Sequence, residues 1–326
     1  MKIGLDVMGG DFAPGAAIGG AILAQRELPS ENRIVLIGPA DVVGDHLKSA
    51  GSSPELFDIV DAREVIGMGE HPTKALTRKP ASTISVGFNM LKHRQIDAFA
   101  SAGNSGAMLV GSIFSINNIQ GIIRPATPAF LPQENGGLSI LIDVGTNPDA
   151  RPDVMQQFAL LGSLYAQQVL KVSKPRVGLL NIGEEEEKGN ITAQAVHHLL
   201  KGSGDVNFIG NIEGRDILKN KADVIVCDGF TGNILLKSLE SMYRIMAKRN
   251  LTDDYFARFN YENYGGTPIL GVNGIVIMGH GISNDIAIKN MILMGRDIHE
   301  SHLISKIKHS LLTSAAITAS VSALQI

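Results

Sequence analysis

Short apolar runs alternate with longer amphipathic stretches along almost the whole chain, and this constrains the fold more than any other feature. Lys2–Met8, Arg33–Ile37, Phe57–Val60, Leu138–Asp143, Arg176–Leu180, Ala222–Val226 and Gly274–Met278 are short and rich in Val, Ile and Leu. Runs of that length without polar alternation suit strands buried on both faces. Between them the clearest helical stripe is Val154, Phe158, Leu161, Tyr165 and Val169, opened by Pro152 and Asp153. Proline fits a first helical turn, and a carboxylate there meets the positive end of the helix dipole. Strand and helix in turn predict βαβ units. The expected class is therefore α/β, a mostly parallel sheet with helices on both faces. At 326 residues two domains fit. No linker-like segment or repeat is visible, so the second domain is expected as an excursion from one continuous sheet.

Charge and cysteine content narrow the function classes. With 29 basic and 32 acidic residues the net charge is −3, which offers no general attraction to nucleic acid. The single cysteine, Cys227, excludes an internal disulfide and a zinc site built from several thiolates. A reducing cytoplasm is the expected setting. Met1–Met8 is too short for the apolar core of a signal peptide. The charge-free runs Ala98–Ile123 and Ser310–Ile326 are interrupted by Ser, Thr, Asn and Gln, so neither is expected to span a bilayer, which needs roughly 20 apolar residues.

In a parallel sheet ligands sit beyond the carboxyl ends of the strands, and the loops there are rich in glycine and amides. After the first strand, Asp6, Gly9, Gly10 and Asp11 lead to Pro14 and a helix. Paired glycines let backbone N–H groups approach a ligand. Gly103, Asn104, Ser105 and Gly106 follow the short run Ala98–Ala100, with hydroxyl and amide groups at a helix start. Such a start gathers unpaired N–H donors and binds oxyanions. It matches neither a Walker A loop nor a dinucleotide fingerprint. Asp143 and Asn147, at another strand end, either line the cleft or form an Asx-turn. In Glu184–Lys188 four glutamates precede a lysine that either holds phosphate as a point charge or is neutralised by its own neighbours. Thr231, Gly232 and Asn233 repeat the loop-then-helix design after Cys227. His280 ends the last predicted strand, where a group titrating near neutrality can move protons.

Taken in order, Asp6–Pro14, Ser101–Ala107, Asp143–Asn147, Leu179–Asn190, Gly210–Asp216, Cys227–Asn233, Tyr264–Gly274 and His280–Ser283 make the chain resemble the bacterial phosphate acyltransferases of the PlsX type, from Met1 to about Arg296. The resemblance implies a fold similar to phosphotransacetylases and isopropylmalate dehydrogenases, with an interdomain cleft and no cofactor or metal. It implies transfer of a fatty acyl group from acyl carrier protein to inorganic phosphate, giving an acyl phosphate for phospholipid synthesis. The alternatives are a short-chain phosphotransacetylase using coenzyme A and a non-catalytic acyl-phosphate-binding protein; no adenine-ribose site or metal-binding aspartates favour a dehydrogenase.

The resemblance also implies a homodimer. The expected domains are 1–100 with 270–326, and 101–269, the latter carrying the dimer interface. Peripheral contact with the inner face of the membrane is implied through an apolar hairpin; here Ser238–Asn263 is shorter than in relatives, and Asp253 and Asp254 interrupt it. Ser105 and Thr146 stand where threonine and alanine are expected.

Phosphate can attack a thioester directly, so the site needs proximity, a phosphate cradle and donors to the tetrahedral oxyanion. The expectation places phosphate on Gly103–Gly106 and Lys188, with Thr231, Gly232 and Asn233 facing the thioester oxygen; the two loops are interchangeable at this stage. His280, Asp6 or Asp11 relays a proton to the departing sulfur. For the acidic carrier protein, Arg78, Lys79, Lys92 and Arg94, or Arg244, Lys248 and Arg249, are candidate docking charges.

Overall fold

The computed structural model describes residues 1–324, with side chains through residue 313. The chain divides into two compact units, Met1–Asn117 with Asn260–Glu300 and Asn118–Phe259 with Ser301–Ile326. Each has its own sheet, which corrects the expectation of one continuous sheet. Residues 101–117 and 260–269 belong with the first unit and Ser301–Ile326 with the second, whereas the sequence reading placed them the other way round.

In the first unit six strands run in the order β10-β11-β4-β1-β2-β3. They are β1 (Lys2–Asp6), β2 (Arg33–Gly38), β3 (Asp58–Asp61), β4 (Ala98–Ser101), β10 (Gly266–Pro268) and β11 (Ile275–Gly279). All pairings are parallel except β10 with β11. In β2, Ile34, Val35, Leu36 and Ile37 are each no more than 2 % exposed. Consecutive residues facing opposite sides are buried alike because helices cover both faces of a parallel sheet. Phe88 of helix Thr83–Lys92 meets Phe99 edge-on at 5.2 Å.

The second unit holds β5 (Pro128–Pro132), β6 (Leu138–Ile142), β7 (Arg176–Asn181), β8 (Asn207–Glu213) and β9 (Val224–Val226), in the order β5-β6-β9-β7-β8. Only β5 runs antiparallel, as an edge strand. The predicted stripe forms helix Pro152–Gln168, which buries Val154, Phe158, Leu161 and Tyr165; Val169 is its C-cap. No helix among the described residues is long and apolar enough to cross a membrane.

This topology sets the position of the loops. In the first unit β11, β4 and β1 are parallel neighbours, so the segments after Gly279, Ser101 and Asp6 emerge side by side. In the second unit β6, β9 and β7 do the same for the segments after Ile142, Val226 and Asn181.

Candidate active site

In the first unit the Asp6 side chain anchors the strand ends. It is 2 % exposed. Its Oδ2 accepts from the Ser101 hydroxyl at 2.7 Å and its Oδ1 from the Met8 N–H at 3.0 Å. Ser101 Oγ in turn accepts from the Gly103 N–H at 3.0 Å. Burial pushes the Asp6 carboxyl above its ordinary range, and the Ser101 hydrogen bond opposes that rise. Gly9 lies where a Cβ would come within 2.6 Å of the Gly103 nitrogen, so only glycine lets the two loops meet. Gly10, at φ +101°, turns the chain so that the Asp11 N–H donates to the Gly281 carbonyl at 2.7 Å. Asp6, Gly9, Gly10, Asp11, Gly103 and the His280 segment are thereby brought together. Asp6 holds them from inside and presents no exposed carboxylate.

His280 stacks at a tilt against Tyr261, with ring centroids 5.6 Å apart, and its Nδ1 accepts from the Ile282 N–H at 3.4 Å. That bond leaves Nε2 as the nitrogen that bears the proton in the neutral ring. Tyr261 also donates its hydroxyl to the Ile282 carbonyl at 2.9 Å, pinning the same turn.

Asn104 has a different role from the one expected. Its Oδ1 caps helix Ser105–Gly111 by accepting from the Ala107 N–H at 2.9 Å. Its amide nitrogen faces the carbonyls of Gly67, Met68 and Glu70 at 3.0, 3.2 and 3.1 Å. The side chain expected as an oxyanion donor is thus engaged within the protein, and the loop offers backbone groups beside the exposed Ser105 and the half-buried Gly106. The 67–70 segment gave no signal in the sequence. Lys79 belongs to it rather than to a docking patch, since its ammonium is shared between Glu70 at 2.5 Å and the Val65 carbonyl at 2.8 Å.

In the second unit Asp143 is the buried hub, fully removed from solvent. Oδ1 accepts from the Thr127 N–H and hydroxyl at 2.9 and 3.0 Å. Oδ2 accepts from the Asn147 N–H and side-chain amide at 2.6 and 3.1 Å. Asn147 also donates to the Pro125 carbonyl at 2.8 Å. The local alternative is closer to what is observed, although the bond spans four residues where an Asx-turn spans two: the Asp143 carboxylate and the Asn147 amide nitrogen are both engaged within the protein.

Helix Gly229–Lys248 starts against this hub. Its N-cap Asp228 accepts from both the N–H and the hydroxyl of Thr231, at 2.8 and 2.9 Å, so the Thr231 hydroxyl is occupied. At Gly232 a Cβ would overlap the Asp143 carbonyl oxygen. Asn233, one residue on, is exposed, lies next to Gly145, and its side chain makes no hydrogen bond among the described residues. It is the group on this loop that remains available. Burial pushes the Cys227 thiol well above its ordinary range, and the neighbouring Asp228 and Asp143 carboxylates act in the same direction. A thiolate nucleophile is disfavoured there.

Two of the four glutamates pair with lysines from elsewhere in the unit. Glu184 binds Lys221 at 2.5 Å, and Glu186 binds Lys201. Glu184, Glu213 and Asp216 converge within 4.8 Å, but Lys221 and Arg215 already supply cations to that group. Lys188 is exposed and pairs with no carboxylate among the described residues; its stem lies over Gly183. Beside it, beyond β7 and β9, a cavity of about 610 Å³ opens between the 148–150, 181–193 and 227–231 segments.

The family described as "Fatty acid synthesis protein" matches residues 1–306. A phosphate acyltransferase of Syntrophomonas wolfei is 42 % identical over 93 % of this chain and 96 % of its own length. Another, from Heliobacterium modesticaldum, is 43 % identical over 94 % and 97 %. The chain belongs to the phosphate acyltransferase family. Its membership makes it an acyl-transferring enzyme, and the PlsX-type resemblance in its strand-end loops is sustained. The EutD phosphotransacetylase of Staphylococcus aureus superposes with a TM-score of 0.62 at 13 % identity, covering 91 % of this chain and 94 % of that one. A 4-hydroxythreonine-4-phosphate dehydrogenase of Burkholderia phymatum gives 0.51 at 16 %, covering 95 % and 97 %. At those identities the likeness concerns the fold, and it agrees with the α/β class expected from the sequence.

Proposed function

We propose that this acyltransferase moves a fatty acyl group from the thioester of an acyl carrier protein to inorganic phosphate, releasing acyl phosphate for phospholipid synthesis and the free carrier thiol. A phosphate oxygen attacks the thioester carbon, the tetrahedral oxyanion collapses, the carbon–sulfur bond breaks and the sulfur takes up a proton. No protein nucleophile enters. The observation that carries this reading is Lys188: it is the cation of the Glu184–Lys188 run and pairs with no carboxylate among the described residues, beside a ligand-sized cavity and in the same unit as the Gly229 helix start. An ammonium there attracts phosphate, and the exposed Asn233 amide is suited to donate to an oxyanion.

In the first unit, the backbone of Gly103–Gly106 is assigned to anion binding and His280, with Asp11 near its turn, to proton transfer. The same proposal includes a homodimer working in the cytoplasm, with weak peripheral contact at the inner membrane face. The deciding experiment incubates the purified chain with long-chain acyl carrier protein and phosphate and measures hydroxylamine-sensitive acyl phosphate. Parallel reactions with acetyl-coenzyme A test the phosphotransacetylase alternative, and binding of acyl phosphate without turnover would indicate the non-catalytic one. Asn233→Ala is expected to cost about 10²–10³ in turnover, the usual loss of one oxyanion donor. Lys188→Gln should raise the phosphate KM with partial rescue in Lys188→Arg, and an unchanged pH–rate profile in His280→Gln would remove its proton role.

A further inference from the structure

The cavity in the second unit has a chemistry of its own. Ala150, Met155, Leu179, Ile182, Ala193 and Phe230 give it apolar walls, and the thiol of Cys227 at its base is held neutral by burial. Most of its polar side chains already have partners inside the protein. Asn181 accepts from the Ile182 N–H at 2.8 Å and donates to the Lys188 carbonyl at 3.1 Å. Asn190 caps the next helix through the Ala193 N–H at 2.8 Å. Thr231 and Asp228 bind each other. Thr192 and Asp149 are the polar side chains of the lining that make no such bond among the described residues, and no Lys, Arg or His lines the space. At the mouth Ile182 and Phe230 are 80 % and 62 % exposed.

This combination selects its occupant. A ligand with phosphates would meet two carboxylates, Asp149 and Asp228, and no cation on the lining. A ligand rich in hydrogen-bonding groups would find few unpaired partners. A neutral, flexible apolar chain instead covers the exposed Ile182 and Phe230 and loses nothing on leaving water. We infer that this groove takes the hydrocarbon chain of the acyl thioester, so that Lys188, on the same loop as Ile182, stands by the polar end of the bound substrate. The inference rests on the acyl-transfer reading above and adds to it the basis of a preference for long chains.

The test uses the full-length protein in two readouts. Calorimetric titration with palmitoyl-pantetheine and with acetyl-pantetheine measures binding without turnover. Rates with palmitoyl- and short-chain acyl carrier protein measure the same preference in catalysis. The wild type should bind palmitoyl-pantetheine more tightly. Ile182→Asp, at an exposed position where folding is not at stake, should reduce the long-to-short ratio by about tenfold, the effect of withdrawing roughly two methylenes from apolar contact. Thr192→Phe, which fills the groove from its wall, should act in the same direction. If both variants keep the wild-type ratio in both readouts, the groove does not hold the chain. If acyl phosphate never forms yet palmitoyl-pantetheine binds and both variants weaken it, the groove stands and the reaction assigned above falls. If acyl phosphate forms with a chain-length preference that neither variant alters, the reaction stands and the groove falls.

Discussion

Replacing Asn104 separates a structural amide from a ligand-binding one. In Asn104→Ala the helix starting at Ser105 loses its cap, which costs about 1 kcal/mol. The three carbonyls of Gly67, Met68 and Glu70 lose an amide that has two N–H groups to offer, so no more than two full hydrogen bonds disappear. At about 1 kcal/mol each these bring the total to about 3 kcal/mol. Asn104→Asp sharpens the contrast. It keeps the cap, and a carboxylate suits a helix start, but it sets a negative oxygen against three carbonyl oxygens. Its damage should therefore concentrate in residues 67–70 and spare the helix. Urea unfolding gives the total, and hydrogen exchange resolved over 65–71 and 105–112 gives its distribution. Faster exchange is expected in both segments for Asn104→Ala and in the first alone for Asn104→Asp. A loss below about 0.5 kcal/mol in Asn104→Ala, with unchanged exchange at 67–70 and a collapsed turnover, would refute the reasoning, because it would mean the amide serves a ligand instead.

Other outcomes follow from the same contacts. Gly232→Ala should destabilise the second unit by at least about 2 kcal/mol, seen as a lowered urea midpoint, since the new methyl overlaps the Asp143 carbonyl oxygen and the backbone has to move. Cys227 should resist iodoacetamide at neutral pH in the folded protein and react at once in denaturant, because burial raises its pKa and blocks access. Burial works to raise the Asp223 carboxyl, but hydrogen bonds from Arg176 at 2.7 to 3.0 Å prevail and hold it below its ordinary range. A depressed carboxyl contributes stability above its unfolded pKa and loses it as pH falls through the folded value. The gap between wild type and Asp223→Asn should therefore be about 1–2 kcal/mol at neutral pH, reduced by the partial exposure of Arg176. That gap should shrink as pH falls below about 4, as followed by urea unfolding across pH.

Much of this was legible in the sequence because burial on both faces leaves its mark as unbroken apolar runs. All seven predicted strands exist, and the Val154–Tyr165 stripe is the helix it announced. Four strands are absent from that reading: β4 is buried but only four residues long, β10 is the three-residue Gly266–Pro268, and β5 and β8 lack an unbroken apolar run. β5 has proline at both ends and sits on an edge, where the missing N–H does no harm. β8 is interrupted at Gly210, with φ +95° and a break in its register against β7. The division into two sheets was invisible because strand runs look alike whichever sheet they join. At the site, glycines and helix starts were readable as local chemistry. The partners of Asn104 were not, since its hydrogen bonds depend on a segment distant in sequence, Gly67–Glu70; for Asp143 and Thr231 the partners Asn147 and Asp228 lie close by, and only the fold shows that they engage. Lys188 was open for the same reason: only the fold shows that Lys201 and Lys221 pair with Glu186 and Glu184.

Asp143 carries one more implication. Its carboxylate ties Thr127 and Asn147 to the strand end, and Asn147 in turn holds Pro125 and accepts from the Gly229 N–H at 2.8 Å. A loop fastened this way before any substrate arrives has little conformational freedom to surrender on binding. Affinity need not be drained by ordering this loop, so a group that meets the Gly229 helix start meets a surface already in place.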